Sequence, residues 1–371
     1  MTYLLNDSDV IDRIFKHIDE NGTDRGEGVW LEPVENYQSE ERFKAEIQLL
    51  RRLPVPYCPS AALPDKGSYV ARTASGTPIV AVRGDDGIVR AFRNSCRHRG
   101  MAVAKDSGCA RAFVCPYHSW TYGLDGNLKH IPGEDGFPGI DKNDHGLIPV
   151  TAEEKGGIVF ITQDDPISEG ALEAMPDLIA PGQTLFDEAN FVDDANWKLI
   201  AETSMEGYHI KSLHNKSFFP YGLDNVNVVE TFGPNSRITF PFRRINKLRD
   251  IPREDRRIDG MVTYVYQLFP NAHFSVLSSH SLLIILEPIS PSQTRYVFYR
   301  MQNLDKNGDL INLDASSKDA NFIKEEGLNE DREAACAIQV GLETKANKHF
   351  TFGKFEKAIV HFHAGLRKYL G

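Results

Sequence analysis

Three observations predict an α+β fold for this chain of 371 residues. Residues 1–52 carry apolar side chains at helical spacing, residues 53–165 read as short strands between turns, and residues 166–371 combine a run of strands with helices. Strands followed by long helices are typical of helices packed on an antiparallel sheet. We therefore expect an all-β domain over 53–165 and a domain of helix-grip type over 166–371, with residues 1–52 as its helical N-terminal part.

The composition excludes several classes of protein. Apolar residues make up 41% and charged residues 25% of the chain, which are ordinary globular values. The net charge of −10 disfavours a nucleic-acid binder, and no apolar run approaches the roughly 18 residues of a membrane span. The N-terminus lacks the pattern of a secretion signal, and five Cys do not make a disulfide scaffold. We expect a cytoplasmic protein with reduced thiols that binds neither nucleic acid nor membrane.

Two helices and then a block of strands are predicted in the first 165 residues. DSDVIDRIFKHIDE has apolar residues at helical spacing behind the cap signal Asp7–Ser8, and SEERFKAEIQLLRRL repeats the pattern after Ser39. At LPVPYCP the helical pattern ends and three prolines occur within seven residues. The runs that follow are divided by Gly, Pro and Asp turns and indicate strands: SYVART, TPIVAVR, IVRAFRN, RAFVCP and GGIVFIT.

The rest of the chain predicts one antiparallel sheet and long C-terminal helices. Six runs indicate its strands: VNVVETF, SRITFPF, VTYVYQLF, HFSVLSS, SLLIILEPI and TRYVFYRMQ. SPSQT reads as a hairpin turn between the last two runs, and MEGYHIKSLH is helix-like. KDANFIKEEGLNEDREAACAIQVGL and KFEKAIVHFHAGLRKYL predict the final helices.

Two short turns in the all-β block hold the first candidate site. SCRHRG and CPYHSW each contain one Cys and one His, so they supply two thiolates and two imidazoles: Cys96, His98, Cys115 and His118. Structural zinc takes the same set, but zinc fingers place both Cys before both His. In a Rieske [2Fe–2S] centre, two Cys hold one iron and two His hold the other, which two mixed turns can provide. Order and spacing favour the iron–sulfur cluster, with zinc as the alternative.

The residues around these turns carry a family resemblance. NSCRHRG and CPYHSWTYGLDG resemble the Rieske signature of bacterial non-haem iron oxygenases, over about residues 53–165. High-potential Rieske proteins of respiratory complexes have a further Cys in each turn, where this chain has Met101 and Tyr117. The resemblance therefore implies a low-potential cluster that a reductase or ferredoxin reduces with electrons derived from NAD(P)H.

A second candidate site lies in NWKLIAETSMEGYHIKSLH, which offers Glu206, His209 and His214. On an ideal helix His209 and His214 would lie about 140° apart. To bind one metal together they require a π-bulge or a helix that ends near Lys211–Leu213. Without a further signal, this pair of His reads as an incidental feature of a surface or core helix.

The same stretch resembles the catalytic segment of the Rieske oxygenase α-subunits. The resemblance implies that His209 and His214 bind a mononuclear Fe(II), with O₂ as co-substrate, and that Asp331 in NEDREAACAIQVGL completes a two-His, one-carboxylate set. Gln339 matches a recurrent Gln on the same helix. Glu330 and Glu333 compete for the role of Asp331, and both read more readily as solvated helix charges, although Glu330 remains an alternative ligand.

Glu206 is the candidate catalytic residue besides the ligands. The family usually has Asp at this position, where it links the iron site of one subunit to a cluster His of the next. The resemblance implies that Glu206 contacts His209 of its own subunit and the cluster His of a neighbouring subunit that corresponds to His118. This bridge implies a head-to-tail homotrimer. A minority of members, including carnitine-oxygenase-like ones, also have Glu. Thr203 stands where Asn is common, and neither departure removes a ligand.

The resemblance as a whole implies a terminal oxygenase, a mono- or dioxygenase that hydroxylates a small, aromatic or apolar organic substrate. Three alternatives stay open: a quaternary-amine monooxygenase that causes C–N cleavage, a Rieske electron carrier without oxygenase activity, and a zinc-stabilised binding module. The expected pocket residues are mostly apolar: Met205, Leu213, Phe218, Phe219, Phe274, Leu277 and Leu283. An aromatic cage for a cation would draw on Phe218, Phe219, Tyr221 and Tyr264.

Overall fold

The computed structural model describes residues 4–168 and 170–371, with Glu325 and Glu326 described by their backbone alone. The chain divides into two compact units. One contains residues 50–172 and 176–181, and the other contains the residues up to Leu49, 173–175 and 182–371. Among the described residues, no helix is both long and apolar enough to cross a membrane.

The α-helices are α1 Asp7–Asp19, α2 Glu35–Gln38, α3 Glu40–Arg52, α4 Trp197–Thr203, α5 Ile210–Leu213, α6 Leu313–Phe322, α7 Asn329–Leu342 and α8 Lys357–Leu370. A π-helix, Ile323–Leu328, joins α6 to α7. The strands are β1 Trp30–Pro33, β2 Val55–Pro59, β3 Ser68–Ala74, β4 Thr77–Arg83, β5 Val89–Arg93, β6 Asp106–Cys109, β7 Phe113–Val114, β8 Thr121–Tyr122, β9 Leu128–His130, β10 Pro149–Lys155, β11 Ile158–Thr162, β12 Leu185–Asp193, β13 Val228–Phe232, β14 Asn235–Pro241, β15 Val262–Leu268, β16 Ala272–Val276, β17 His280–Ser290, β18 Gln293–Gln302 and β19 His349–Phe352. Short 3₁₀ turns cover Ser60–Ala62, Glu134–Gly136, Lys142–His145, Arg243–Asp250 and Arg253–Asp255.

The smaller unit is an all-β fold. Seven antiparallel strands are ordered β2-β11-β10-β5-β4-β3-β6, and a second sheet contains β7-β8-β9. Its core joins Val80, Val82 and Phe92 of the larger sheet to Trp120, which precedes β8, and to Tyr122 on β8. Cys96 and Cys115 are part of this same core. The turns that carry the Cys are therefore fixed by the packing of the domain.

The larger unit is built on a seven-stranded antiparallel sheet ordered β12-β18-β17-β16-β15-β14-β13. Strands β13 to β18 follow one another in space as they do in sequence. Short connections join these neighbours, as antiparallel pairing allows, except between β14 and β15, where residues 242–261 form a longer segment. The long helices α7 and α8 follow the sheet in the chain, and β1 pairs with β19. The α+β prediction, with an antiparallel sheet and long C-terminal helices, is confirmed.

The start of α4 is anchored deep in this unit. The side chain of Asn196 accepts the N–H of Lys198 and caps the helix. Lys198 Nζ lies 2.7 Å and 2.9 Å from the Glu46 carboxylate on α3, and Trp197 Nε1 donates to the same group. Burial lowers the pKa of Lys198, and the charge of Glu46 opposes that shift. The Asn-Trp-Lys motif thus acts structurally, holding the segment that leads to Glu206.

Candidate metal centres and substrate cavity

The two Cys–His turns have the same backbone design. The N–H of Cys96 donates to the carbonyl of Met101, and the N–H of Gly100 donates back to Cys96. In the second turn Cys115 donates to Trp120, and Ser119 donates back to Cys115. The fourth residue after each Cys has a left-handed backbone, with φ of +82° at Gly100 and +58° at Ser119. A glycine adopts this conformation without strain, which explains its place in SCRHRG.

The two turns bring their imidazoles together at the surface and bury their thiols. The rings of His98 and His118 lie 4.7 Å apart between centroids, and His98 stacks on Trp120 at 5.0 Å. Cys96 and Cys115 are each 3% exposed, whereas His118 is exposed. An inner pair of thiolates and an outer pair of imidazoles is the asymmetry that a Rieske centre needs, since one iron takes each pair.

Tyr122 supports the inner side of this site. Its hydroxyl lies 3.2 Å from Cys96 Sγ and accepts the N–H of Arg97 at 2.9 Å. Burial, with the hydrogen bond to Cys96, raises the pKa of Tyr122, so the phenol keeps its proton. A protonated hydroxyl at a thiolate donates a hydrogen bond, and such bonds tune the potential of a cluster.

The arrangement argues against a single zinc ion. The ligand atoms around a tetrahedral zinc lie roughly 3.3–3.8 Å from one another. Among the described residues, one group of His, Cys, Asp or Glu side chains is close enough to hold one ion, and it is His209, His214 and Asp331. The two Cys–His pairs do not converge in this way. The residues fit a two-iron cluster, in which one iron would take the two buried thiolates and the other the two imidazoles.

His209 and His214 occupy the two ends of the four-residue helix α5 and face a common point. His209 is the residue before the helix and His214 the residue after it, and their ring centroids lie 5.0 Å apart. Asp331 Oδ1 lies 3.5 Å from His209 Nε2 and 3.1 Å from His214 Nε2. All three ligand atoms lie within 4.8 Å of one another. Two imidazoles and a carboxylate on one side of a point form a set that non-haem iron takes.

Each His of this group has a second carboxylate on its other ring nitrogen. Glu206 Oε1 is hydrogen-bonded to His209 Nδ1, while its Oε2 accepts the backbone N–H of Tyr208. Glu330 Oε2 lies 2.6 Å from His214 Nδ1 and also accepts the hydroxyl of Ser217. A carboxylate at Nδ1 keeps the proton there and leaves Nε2 as a lone-pair donor. The pair Glu206 and Glu330 therefore orients both imidazoles.

The electrostatics at His209 follow from these contacts. Burial alone lowers the pKa of His209, but the hydrogen bond and charge of Glu206, with the charge of Asp331, outweigh it and raise the pKa. Nearby Glu356 has its pKa raised by burial and by the charges of Glu206 and Glu202. The site is rich in negative charge, which a bound cation would offset.

Two expectations about this segment are corrected. MEGYHIKSLH is helical only at Ile210–Leu213, and Glu206 lies in the irregular stretch before it. The alternative of a helix that ends between the two His is the one observed. A π-helix occurs elsewhere, at Ile323–Leu328, and leads into α7, which carries Glu330 and Asp331. Glu330 is not a solvated charge, since it contacts His214. Glu333 is exposed, as expected.

Helix α7, which carries Asp331, is fixed at two further points. Arg332 makes two hydrogen bonds to Asp193 on β12, at 2.7 Å and 2.6 Å, and its guanidinium lies 3.8 Å from the centroid of the Phe191 ring. Gln339 Oε1 accepts the backbone N–H of Asn196 at 2.8 Å, which ties α7 to the start of α4. These contacts set the position of Asp331 relative to the two His.

A cavity of about 610 Å³ opens beside His209, His214 and Asp331. Its wall is mostly apolar and comes from the sheet, the segment after α5 and the region around the π-helix: Ile210, Phe218, Tyr221, Leu223, Phe240, Phe242, Val265, Leu277, Leu282, Ile284, Phe322, Ile323 and Leu328. Ligand pockets typically measure roughly 300–1,000 Å³, so this one suits a small organic molecule.

The expected pocket residues are partly wrong. Phe218 and Leu277 line the cavity, but the other five expected residues do not: Met205, Leu213, Phe219, Phe274 and Leu283. Side chains alternate along a strand, so Ser275 and Leu282 face the cavity and their neighbours Phe274 and Leu283 face away. Tyr264 likewise faces away. The cage of four aromatic residues reduces to Phe218 and Tyr221, which share the wall with Phe322.

The fold and these sites define a Rieske-type oxygenase subunit. The family model described as "Ring hydroxylating alpha subunit (catalytic domain)" matches residues 185–371, and that described as "Rieske [2Fe-2S] domain" matches residues 54–141. The chain therefore belongs to the ring-hydroxylating α-subunit family. The predicted cofactors, a Rieske [2Fe–2S] cluster and a mononuclear iron that uses O₂, are confirmed by this membership.

Relatives of known activity match part of the chain. The chain is 39% identical over 159 residues to the glycine betaine monooxygenase oxygenase subunit of Chromohalobacter salexigens, covering 41% of this chain and 36% of that protein. It is 32% identical over 199 residues to the carnitine monooxygenase oxygenase subunit of Escherichia coli K12, covering 50% and 52%. The chain thus spans about half or less of the length of these curated relatives.

Solved structures match the fold along nearly the whole chain. The quaternary ammonium Rieske monooxygenase CntA in complex with L-carnitine has a TM-score of 0.78 at 21% identity, with 100% of both chains covered. Naphthalene 1,2-dioxygenase from Rhodococcus sp. bound to indole has a TM-score of 0.74 at 18% identity, with 99% of both chains covered. The same fold therefore accompanies two chemically different bound molecules, L-carnitine and indole.

Proposed function

We propose that the protein is the terminal oxygenase of a Rieske non-haem iron system and hydroxylates a small, largely apolar organic substrate. The observation that carries this proposal is the joint placement of His209, His214 and Asp331 at the end of an apolar cavity. A Rieske electron carrier without oxygenase activity would not require a substrate cavity beside these residues. The zinc-stabilised binding module requires four ligands around one ion, and among the described residues the two Cys–His turns do not form such a group.

The proposal assigns each group a role. Cys96 and Cys115 hold one iron of the cluster, and His98 and His118 hold the other. His209, His214 and Asp331 hold the mononuclear iron, which when bound supplies O₂ activation with an electron from the cluster. We propose residues 53–165 as the cluster domain and 166–371, with 1–52, as the catalytic domain.

The chain's own residues position the reactants. The carboxylates of Glu206 and Glu330 hold protons at the Nδ1 atoms and so aim both Nε2 atoms at the metal. The apolar wall excludes water, and Phe218, whose ring centroid lies 4.8 Å from that of His214, limits how a substrate approaches. His118 is exposed on the smaller unit and is therefore accessible to another subunit. Glu206 is proposed to contact such a cluster His of a neighbouring subunit in a homotrimer. A reductase or ferredoxin is the proposed electron donor.

A quaternary-amine monooxygenase is the second candidate. The names of the relatives and the presence of Glu206 favour it, as do three neighbouring aromatic rings: Phe218 and Tyr221 lie 6.1 Å and 5.9 Å from Phe322. Aromatic faces attract cations such as a trimethylammonium group. Whether the product arises by C–N cleavage or by hydroxylation of an apolar carbon separates the two candidates.

Metal and product analysis tests the proposal. Purified protein is expected to contain about two iron atoms and two acid-labile sulfides per chain for the cluster, with one further iron. With a reductase, NADH and O₂, it is expected to form a hydroxylated product from an apolar or aromatic acid. Zinc without sulfide, or a cluster without the further iron, would overturn the assignment.

A further inference from the structure

The segment between β14 and β15 is basic, and five of its six arginines fall into two groups. The sixth, Arg257, donates to the backbone carbonyls of Glu254 and Arg256. The first group comprises Arg243 and Arg244, which line the cavity. The second lies further along the segment and faces α1. Arg249 lies 2.7 Å from Asp19, Arg253 lies 2.6 Å from Asp9 and from Asp12, and Arg256 lies 3.0 Å from Asp12. The acids of α1 thus neutralise the second group.

The first group is held by groups that carry no charge. Arg243 donates to the carbonyl of Phe219 at 3.1 Å and lies 4.8 Å from the centroid of its ring. Arg244 donates to the carbonyl of Gly260 and lies 4.7 Å from the Phe242 centroid. Within residues 4–168 and 170–371, as far as side chains are described, neither guanidinium has a carboxylate at ion-pair distance. Both are positioned and keep their charge uncompensated.

Among the side chains that the structure describes, one acid besides Asp331 lines the cavity, but it lies away from Arg243 and Arg244. Asp319 Oδ2 accepts the backbone N–H of Ser279 at 3.0 Å and is hydrogen-bonded to His280 Nδ1 at 2.9 Å, beside the start of β17. Arg243 and Arg244 follow the end of β14, and β15 and β16 lie between these strands. Three strand spacings amount to roughly 14 Å. Asp319 therefore belongs to another part of the wall.

We infer that the cavity binds a substrate with an apolar body and a carboxylate, and that Arg243 and Arg244 bind the carboxylate. This inference rests on the proposed oxygenase function. Two guanidiniums offer paired N–H groups that match a carboxylate, and such charge-assisted bonds are stronger than neutral ones. With the carboxylate bound by Arg243 and Arg244, the apolar body of the substrate lies along the apolar wall that leads to His209 and His214. A substrate whose single charge is a quaternary ammonium would meet the same arginines with repulsion.

Equilibrium binding to the oxidised, anaerobic holoprotein tests the inference without turnover. The probes are naphthalene-2-carboxylate, the isosteric naphthalene-2-carboxamide and benzyltrimethylammonium. The wild type is expected to bind the carboxylate about tenfold more tightly than the amide and to lose this preference as salt rises. The double variant Arg243→Gln/Arg244→Gln is expected to bind both equally. The matched control Arg249→Gln, in which the paired Arg faces α1, is expected to keep the preference.

Several results would overturn the inference. They are equal binding of carboxylate and amide by the wild type, no binding of the carboxylate, tighter binding of the cation, or an equal loss in the Arg249 variant. If the double variant does not fold, the single variants and the salt dependence decide. Failure of the oxygenase proposal is distinguishable, because it appears in the iron and sulfide content and in the absence of product, whereas the preference between probes is measured at equilibrium.

Discussion

The two metal centres of this protein are assembled in different ways. The cluster turns lie close together in the chain, and backbone hydrogen bonds close each turn on itself, from Cys96 to Met101 and from Cys115 to Trp120. The mononuclear site joins α5 to α7, which are more than a hundred residues apart. The first site depends on local turn geometry, whereas the second depends on the docking of two elements. The second site is therefore expected to be more sensitive to changes around its proposed ligands.

The largest expected effect is at the docked site. His214→Ala removes a fully buried imidazole that is proposed to bind the mononuclear iron, so this iron is expected to be lost and product formation to fall to background. The visible absorbance of the cluster is expected to stay unchanged. Metal analysis and product assays measure both. The neighbouring exposed Asn215→Ala serves as control and is expected to retain iron and activity. Persisting O₂-dependent product in His214→Ala would indicate that this site does not do the chemistry.

The next effect concerns the link between the two centres. Glu206→Gln keeps a hydrogen-bonding group but loses the charge, so both metals are expected to stay and the cluster to be reduced normally, while product formation falls by about 100-fold. Asp331→Asn, by contrast, is expected to lose the mononuclear iron. Iron content of the two variants is the measurement. Iron lost from the Glu206 variant and kept in the Asp331 variant would reverse the two roles.

A smaller effect is expected at the carboxylate on His214. Glu330→Gln keeps the shape but no longer stabilises the Nδ1 proton, so iron affinity is expected to fall about 10- to 100-fold, without loss of the cluster. A chelator titration monitored by iron content measures it. Glu333→Gln changes an exposed acid on the same helix and is the matched control. Equal losses in both variants would assign the effect to helix charge.

The effect furthest from the chemistry is on stability and concerns the sheet of the larger unit. His273 is fully buried on β16, neither ring nitrogen has a hydrogen-bond partner among the described residues, and burial lowers its pKa to about 4. The unfolded chain binds the proton near pH 6.5, so stability is full above that pH and falls between about pH 6.5 and 4, by about 3 kcal/mol.

Urea unfolding across this pH range tests the prediction. His273→Leu is expected to flatten the dependence, because the titrating group is gone, whereas His349→Gln at an exposed position of β19 is expected to keep the wild-type slope. An unchanged slope in His273→Leu would mean that other groups dominate the acid sensitivity of the larger unit.

The sequence alone determined what depends on neighbours along the chain. Helices α1 and α3 and strands β13 to β18 lie where the apolar periodicity of the sequence predicts them. The spacing of apolar residues indicates which face of each element is buried, and this spacing differs between a helix and a strand. The cluster residues were recognisable since both turns lie within one short stretch. The motif around His209 and His214 was recognisable by resemblance, and so was Asp331.

Contacts between elements that lie far apart in the chain became known only from the tertiary structure. The pairing of Glu330 with His214, and the π-helix before it, have no local signal, since a carboxylate on a helix looks the same whether it meets water or an imidazole. The face of each strand that lines the cavity depends on register, so Phe274 was expected there and Ser275 lies there instead. Likewise, the seven basic residues between β14 and β15 look alike in sequence, and only the structure shows that three of them pair with acids of α1 while Arg243 and Arg244 line the cavity.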